Sequence, residues 1–210
     1  MNKAALLTAS PPNKGAEMTY FLYDSLGDIN NPKLAIIESP PTGLGIYRFT
    51  LSQGMPAEPH YPAEATVKLS DDYPGLILSG FVGNLFNTLI TLPTVNDIIM
   101  AHCPGGRFEI LPVTIVNHKN RTHASEYTFL NPLIYHDCLD ENACHIDRED
   151  EDEPELVGTP ILSAAKLVDA PNLFRIPEDP VKILMSEALI DSLNAAGCTN
   201  LVVESIPIND

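Results

Sequence analysis

VKILMSEALIDSLNAAGCTNLVVESI, residues 181–206, carries the clearest local signals in the chain. Val181–Met185 is a short apolar run with a single Lys and reads as a strand. Ser186 is placed to cap a helix, and Glu187 puts a negative charge in its first turn, where the helix dipole favours it. Leu189, Ile190, Leu193 and Ala196 recur at helical spacing, so the helix has one apolar face. Gly197 supplies the left-handed residue that stops it. Asn200–Ile206 then reads as a closing strand.

The same grammar occurs once more upstream. Thr94 is expected to cap a short helix through Cys103, with Ile98 and Ile99 on its buried face and Pro104-Gly105-Gly106 as the stop. Each helix is followed by a strand containing Glu-x-x-Pro, at Glu109–Pro112 and Glu204–Pro207. Caps and stop glycines are common, so spacing alone favours coincidence over an old duplication.

Strands dominate the rest. Met18–Tyr23, Gly45–Ser52, Ala65–Leu69, Leu76–Leu78, Lys166–Val168 and Leu173–Ile176 are expected strands. In Gly45–Ser52, Ile46, Arg48 and Thr50 alternate with Tyr47, Phe49 and Leu51. Arg107–Val116 and Tyr127–Leu139 are expected to pair through a turn at Asn117–Thr122. Pro112 and Pro132 place a bend or an edge in those two strands. The expected fold is α+β: mostly antiparallel strands with two short helices packed on the sheet. Residues 1–17, with Ser10-Pro11-Pro12-Asn13-Lys14-Gly15, are expected to be a loose arm before a single domain over 18–210.

Composition bounds the function. The 210 residues are 44% hydrophobic, enough for a core, and the 19 prolines make long helices scarce. Lys plus Arg is 12 against 28 acids, for a net charge of −16. That disfavours direct nucleic-acid binding, which needs excess basic charge, and favours a basic partner. No stretch approaches the roughly 18 apolar residues of a membrane span. The patch Ala4–Leu7 is far shorter than the roughly 7–15-residue core of a signal peptide, so the cytoplasm is the expected compartment.

No nucleophile elbow, phosphate loop or His-Glu-x-x-His motif is present. His136, Cys138, Cys144 and His145 are four zinc-type donors within ten residues. Their Cys-x5-Cys spacing is outside the usual gap, and Cys144 and His145 are adjacent, so no metal or other cofactor is expected. Asp147–Glu155 holds seven acids and one Arg, or −6 in nine residues. Glu149, Asp150, Glu151, Asp152 and Glu153 are therefore the partner-binding candidates, against the alternative of a simple solvated loop.

Several segments together resemble a known family. They are Phe108–Val113, Tyr127–Leu133, His136–Glu141, Lys166–Val168, Leu173–Ile176, Ile183–Glu187 and Leu193–Leu201. In this order they are similar to the Myxococcus-type immunity-protein family of bacterial polymorphic toxin systems, over roughly residues 80–206. Before residue 80 the likeness is confined to the Tyr20–Asp24 strand, and Thr94-Val95-Asn96-Asp97 departs from the Ser-Glu start common in the family. The acidic run looks like an insertion peculiar to this chain. The resemblance implies a non-enzymatic protein that binds and neutralises a toxin encoded by an adjacent gene, with nuclease-type toxins a frequent association. It brings no catalytic residues. Two other readings are an adaptor or scaffold in toxin loading or secretion, and an enzyme using His123, His136 or the acids.

Overall fold

A computed structural model describes residues 19–150 and 154–210. The expected arm at 1–17 lies outside them. The chain opens with β1 (Tyr20–Tyr23), β2 (Ala35–Ile37), β3 (Thr66–Pro74), β4 (Gly83–Asn84) and β5 (Leu89–Thr91). Helix α1 (Pro93–His102) leads into β6 (Phe108–Val116) and β7 (Thr122–Pro132). Three short strands follow, β8 (His145–Asp147), β9 (Glu155–Val157) and β10 (Leu162–Ser163). The chain finishes with β11 (Leu173–Ile176), β12 (Asp179–Ser186), α2 (Glu187–Ala195), β13 (Val203–Ser205) and β14 (Ile208–Asn209).

The fold is α+β, as expected. A six-stranded sheet runs β4-β2-β3-β6-β7-β5, and a four-stranded sheet runs β11-β12-β1-β13. Two ribbons, β8-β9 and β10-β14, complete the set. Pairing is antiparallel except for β2–β4, β3–β6 and β10–β14.

The two helical units share one topology. β5 and β6 both pair antiparallel with β7, so α1 links two strands across an intervening one. β12 and β13 flank β1 in the same way, with α2 as the link. The strand before each helix also has an outer antiparallel neighbour: Phe81 pairs with Thr91, and β11 pairs with β12. Val95 and Ile99 of α1 and Leu189 and Leu193 of α2 are buried in one cluster with Leu130 and Met185. β12 is apolar on both faces: Ile183 and Met185 join the helices, while Leu184 joins Tyr20, Leu162 and Phe174. A third cluster seats the 44–61 segment on the large sheet through Leu44, Leu51, Val67, Val113 and Phe129.

Local chemistry explains where elements end. The Ser186 hydroxyl accepts from the Leu189 N–H at 3.3 Å, so the capping expectation for α2 holds. Helix α1 instead starts at Leu92, with Pro93 as its first residue and no side-chain cap. Proline fits there because its missing N–H is one of the donors a helix start leaves unused. Thr94 is thus already inside the helix. Pro112 lies in β6 beyond the stretch that β3 covers, and its carbonyl accepts from the Tyr61 hydroxyl at 2.9 Å. Pro132 ends β7, so the expected strand to Leu139 stops there.

Two expected strands are helical turns. Gly45–Phe49 is a 3-10 helix, with the Tyr47 N–H on the Leu44 carbonyl at 2.9 Å and the Thr50 N–H on Tyr47 at 3.0 Å. Thr50 and Ser52 hydroxyls also donate to carbonyls three residues back, so local polar bonds outcompete the alternating apolar pattern. Ile46 is consequently 86% exposed. Ala164–Leu167 is likewise a 3-10 turn, burying Leu167 and leaving Val168 exposed.

Candidate functional site

The acidic run sits at the end of a ribbon. Asp147 and Glu155 face each other across β8 and β9, so the run closes the hairpin between them. Ile146 and Leu156 pack partly buried against the cluster of Phe174 and Leu184, and the Leu156 N–H donates to the Glu178 carbonyl at 2.8 Å. The ribbon therefore has an apolar root and carries carboxylates at Asp147 and Glu155, its far end. The Glu149 N–H donates to Asp147 Oδ1 at 2.9 Å as the turn begins. Of the five partner-binding candidates, Glu149 and Asp150 are described, and Glu151, Asp152 and Glu153 lie outside the described residues.

Neighbouring cations are already engaged. Arg148 pairs with Glu141 at 3.2 Å. Lys166 pairs with Asp137 at 2.9 Å and with Glu141 at 3.2 Å. The hydrogen bond that Lys166 donates to Asp137 is the main reason its ammonium is held above its ordinary pKa, against burial and with help from Glu141. Asp140 is held below the usual carboxylate range by the Asn209 side chain and by the N–H groups of Asn142 and Ala143. The ribbon and the segment 137–141 beside it thus carry more carboxylates than cations. Such a surface attracts a basic partner over about a Debye length, roughly 8 Å at physiological salt.

Two of the four zinc-type donors are engaged elsewhere, and the other two lie apart in buried and exposed surroundings. His136 Nε2 contacts the Lys166 carbonyl at 2.7 Å, and its ring meets Phe174 edge-on. Cys138 is fully buried, and burial, with Glu178 and Asp137 nearby, pushes its thiol up to about 12. Cys144 Sγ bonds the main chain of Ile161 in both directions at 3.3 Å. His145 is exposed on β8. Among the described residues no group of three or more His, Cys, Asp or Glu side chains is arranged to hold a metal. His123 Nε2 contacts the Leu76 carbonyl at 2.8 Å, so neither histidine considered for catalysis is shown paired with a nucleophile or an orienting carboxylate.

Sequence reasoning missed a cavity of about 720 Å³. It lies between residues 39–43, the turn at 45–53, the loop at 85–87, and Val181 of β12. Arg48 stands at its wall with the guanidinium 4.6 Å from the centre of the Phe49 ring. Ser52, Gln53 and Asn87 supply polar atoms, and Leu85 and Phe86 supply apolar wall. Behind that wall is Arg175, wholly buried. Its guanidinium donates to the carbonyls of Leu51 (3.0 Å), Ser52 (2.8 Å), Pro132 (3.2 Å) and Pro180 (2.6 Å). It has no carboxylate partner among the described residues, and burial pulls its pKa down to about 10. Gly54 is required beside it: φ is +65°, and a Cβ there would run into the Arg175 side chain. The strand reading of 45–52 concealed this cavity, because an extended segment would not fold back to form its wall.

No protein-family model matches the chain, and no curated protein matches it in sequence. Among the described residues no helix is long and apolar enough to cross a membrane.

Proposed function

We propose that the protein is a non-catalytic immunity protein: it binds a toxin encoded by an adjacent gene and blocks it. The observation that carries the proposal is the acidic run at the end of a rooted ribbon, next to cations already engaged by Asp137 and Glu141. A surface of this kind suits a toxin with a basic functional groove. If the toxin is a nuclease, carboxylates at the ribbon tip occupy the place of substrate phosphates. The resemblance over roughly residues 80–206 points the same way, and the compartment that suits such a role is the cytoplasm. Pairing through a hydrated tip is worth only about 0–1 kcal/mol per exposed ion pair, so the ribbon speeds encounter and the folded surface supplies the tight contacts.

Co-expression tests the proposal. Cells producing the neighbouring gene's toxic product are expected to grow when this protein is made alongside it. A complex that forms without rescuing growth would assign the protein to toxin loading or secretion instead.

A further inference from the structure

The cavity beside residues 45–53 has the attributes of a small-molecule site. Its volume of about 720 Å³ is within the roughly 300–1,000 Å³ range of ligand pockets. Such pockets combine apolar walls with a few placed polar groups, as Phe49, Leu85 and Phe86 do here with Gln53 and Asn87.

The polar groups point to the sign of the ligand. The Arg48 guanidinium sits over the Phe49 ring at 4.6 Å, and its side chain has no hydrogen-bond or ion-pair partner among the described residues. This is notable in a chain with 28 acids and only 12 Lys and Arg. Arg175 adds a second positive charge directly behind the wall, since Ser52 both lines the cavity and accepts from the Arg175 guanidinium. That buried charge is balanced only by carbonyl dipoles, so a nearby anion lowers its electrostatic cost. Asn87 contributes donors: its Oδ1 already accepts from the Ser25 hydroxyl at 3.2 Å, which leaves its amide N–H groups for a ligand.

We propose that this cavity binds a small organic anion, with a flat apolar body against Phe49, Leu85 and Phe86 and a carboxylate or sulfonate on Arg48. The guanidinium fork suits such a group, because it offers two parallel N–H bonds to a pair of oxygens. The site stands apart from the acidic ribbon and does not depend on toxin binding.

The probe is 8-anilinonaphthalene-1-sulfonate, titrated into the folded full-length chain and followed by fluorescence and by amide NMR shifts. Saturable one-to-one binding is expected, with the largest shifts at Gly43, Gln53 and Asn87. Loss of a charged hydrogen bond in Arg48→Gln is expected to weaken binding by about tenfold or more. Arg48→Lys should recover part of that loss. The uncharged N-phenyl-1-naphthylamine should bind both Arg48→Gln and the parent chain within about twofold of each other, since Arg48 gives it no ion pair. Arg48 is exposed, so the melting temperature of either variant should match the parent. Absence of saturable binding, shifts centred outside the cavity, or equal affinity in Arg48→Gln would overturn the assignment.

Discussion

Replacing Arg175 by Met removes a side chain that ties the 51–54 segment to the ends of β7 and β12. The guanidinium is 0% exposed and donates to four main-chain carbonyls, at 2.6 to 3.2 Å. Methionine keeps most of the length and none of the donors. A buried carbonyl left without a partner costs about 1–3 kcal/mol, so the three at Ser52, Pro132 and Pro180 cost about 3–9 kcal/mol, while Leu51 keeps the Gly54 N–H at 3.5 Å. Removing an unpaired buried charge returns several kcal/mol of desolvation, taken as about 3. The net loss at the middle of that range is about 3 kcal/mol. Against a total stability of about 5–15 kcal/mol for an ordinary domain, that is a large fraction. Urea unfolding followed by circular dichroism measures it, and Arg175→Lys should fall between Met and the parent. A Met variant within about 0.5 kcal/mol of the parent would refute the reasoning, because surface-like changes stay within that range. It would mean that water reaches those carbonyls and that Arg175 does not hold the cavity wall.

Other expectations follow from the same contacts. Leu193 is fully buried among both helices, so Leu193→Asp should destabilise by several kcal/mol, about 3 or more, and a parental melting temperature would contradict the packing. The buried chain Thr91–Asn96–Thr128, with bonds of 2.6 and 2.7 Å, predicts a loss of about 1–3 kcal/mol for Asn96→Ala in urea unfolding. Burial raises Tyr20, Tyr23 and Tyr61, takes Tyr127 up to about 12, and takes Cys138 up to about 12. Groups raised in the folded state lend stability that is complete below their unfolded values, about 8.5 for Cys and 10 for Tyr, and is lost as pH climbs toward the folded ones. Arg175, lowered to about 10, works in the opposite direction above that pH, but it is one group against five. Melting temperature should therefore decline between about pH 9 and 12, and a flat profile there would argue against burial of these rings. Replacing Glu149, Asp150, Glu151, Asp152 and Glu153 by Ser should slow association with the toxin and flatten its salt dependence while leaving dissociation nearly unchanged. A faster dissociation with unchanged association would place the run inside the interface.

How far the sequence could be read depended on whether each signal was local. Ser186, the Leu189–Leu193 stripe and Gly197 define α2 within one short segment, and the structure follows them. The turn at Asn117–Thr122 was equally legible, since Asn117 Oδ1 accepts from the Lys119 and Arg121 N–H groups and Asn120 takes a positive φ of 55°. The 45–52 segment misled because its alternation is real but no strand lies beside it to use it. The ribbon escaped notice because its strands are three residues each and the charge between them dominates the composition. Arg175 falls within the expected strand Leu173–Ile176, but its burial depends on carbonyls from residues 51, 52, 132 and 180, which only the tertiary fold gathers. The cavity was hidden for the same reason, being made from three loops and one strand residue.

Titration of the neighbouring gene's purified toxin with this protein, with the toxin's own activity as readout, tests the proposed function most directly. Neutralisation by binding predicts that activity falls linearly to zero at a fixed stoichiometric ratio and recovers when the complex is dissociated. Full toxin activity in the presence of excess protein, with a complex visible by size exclusion, would contradict it.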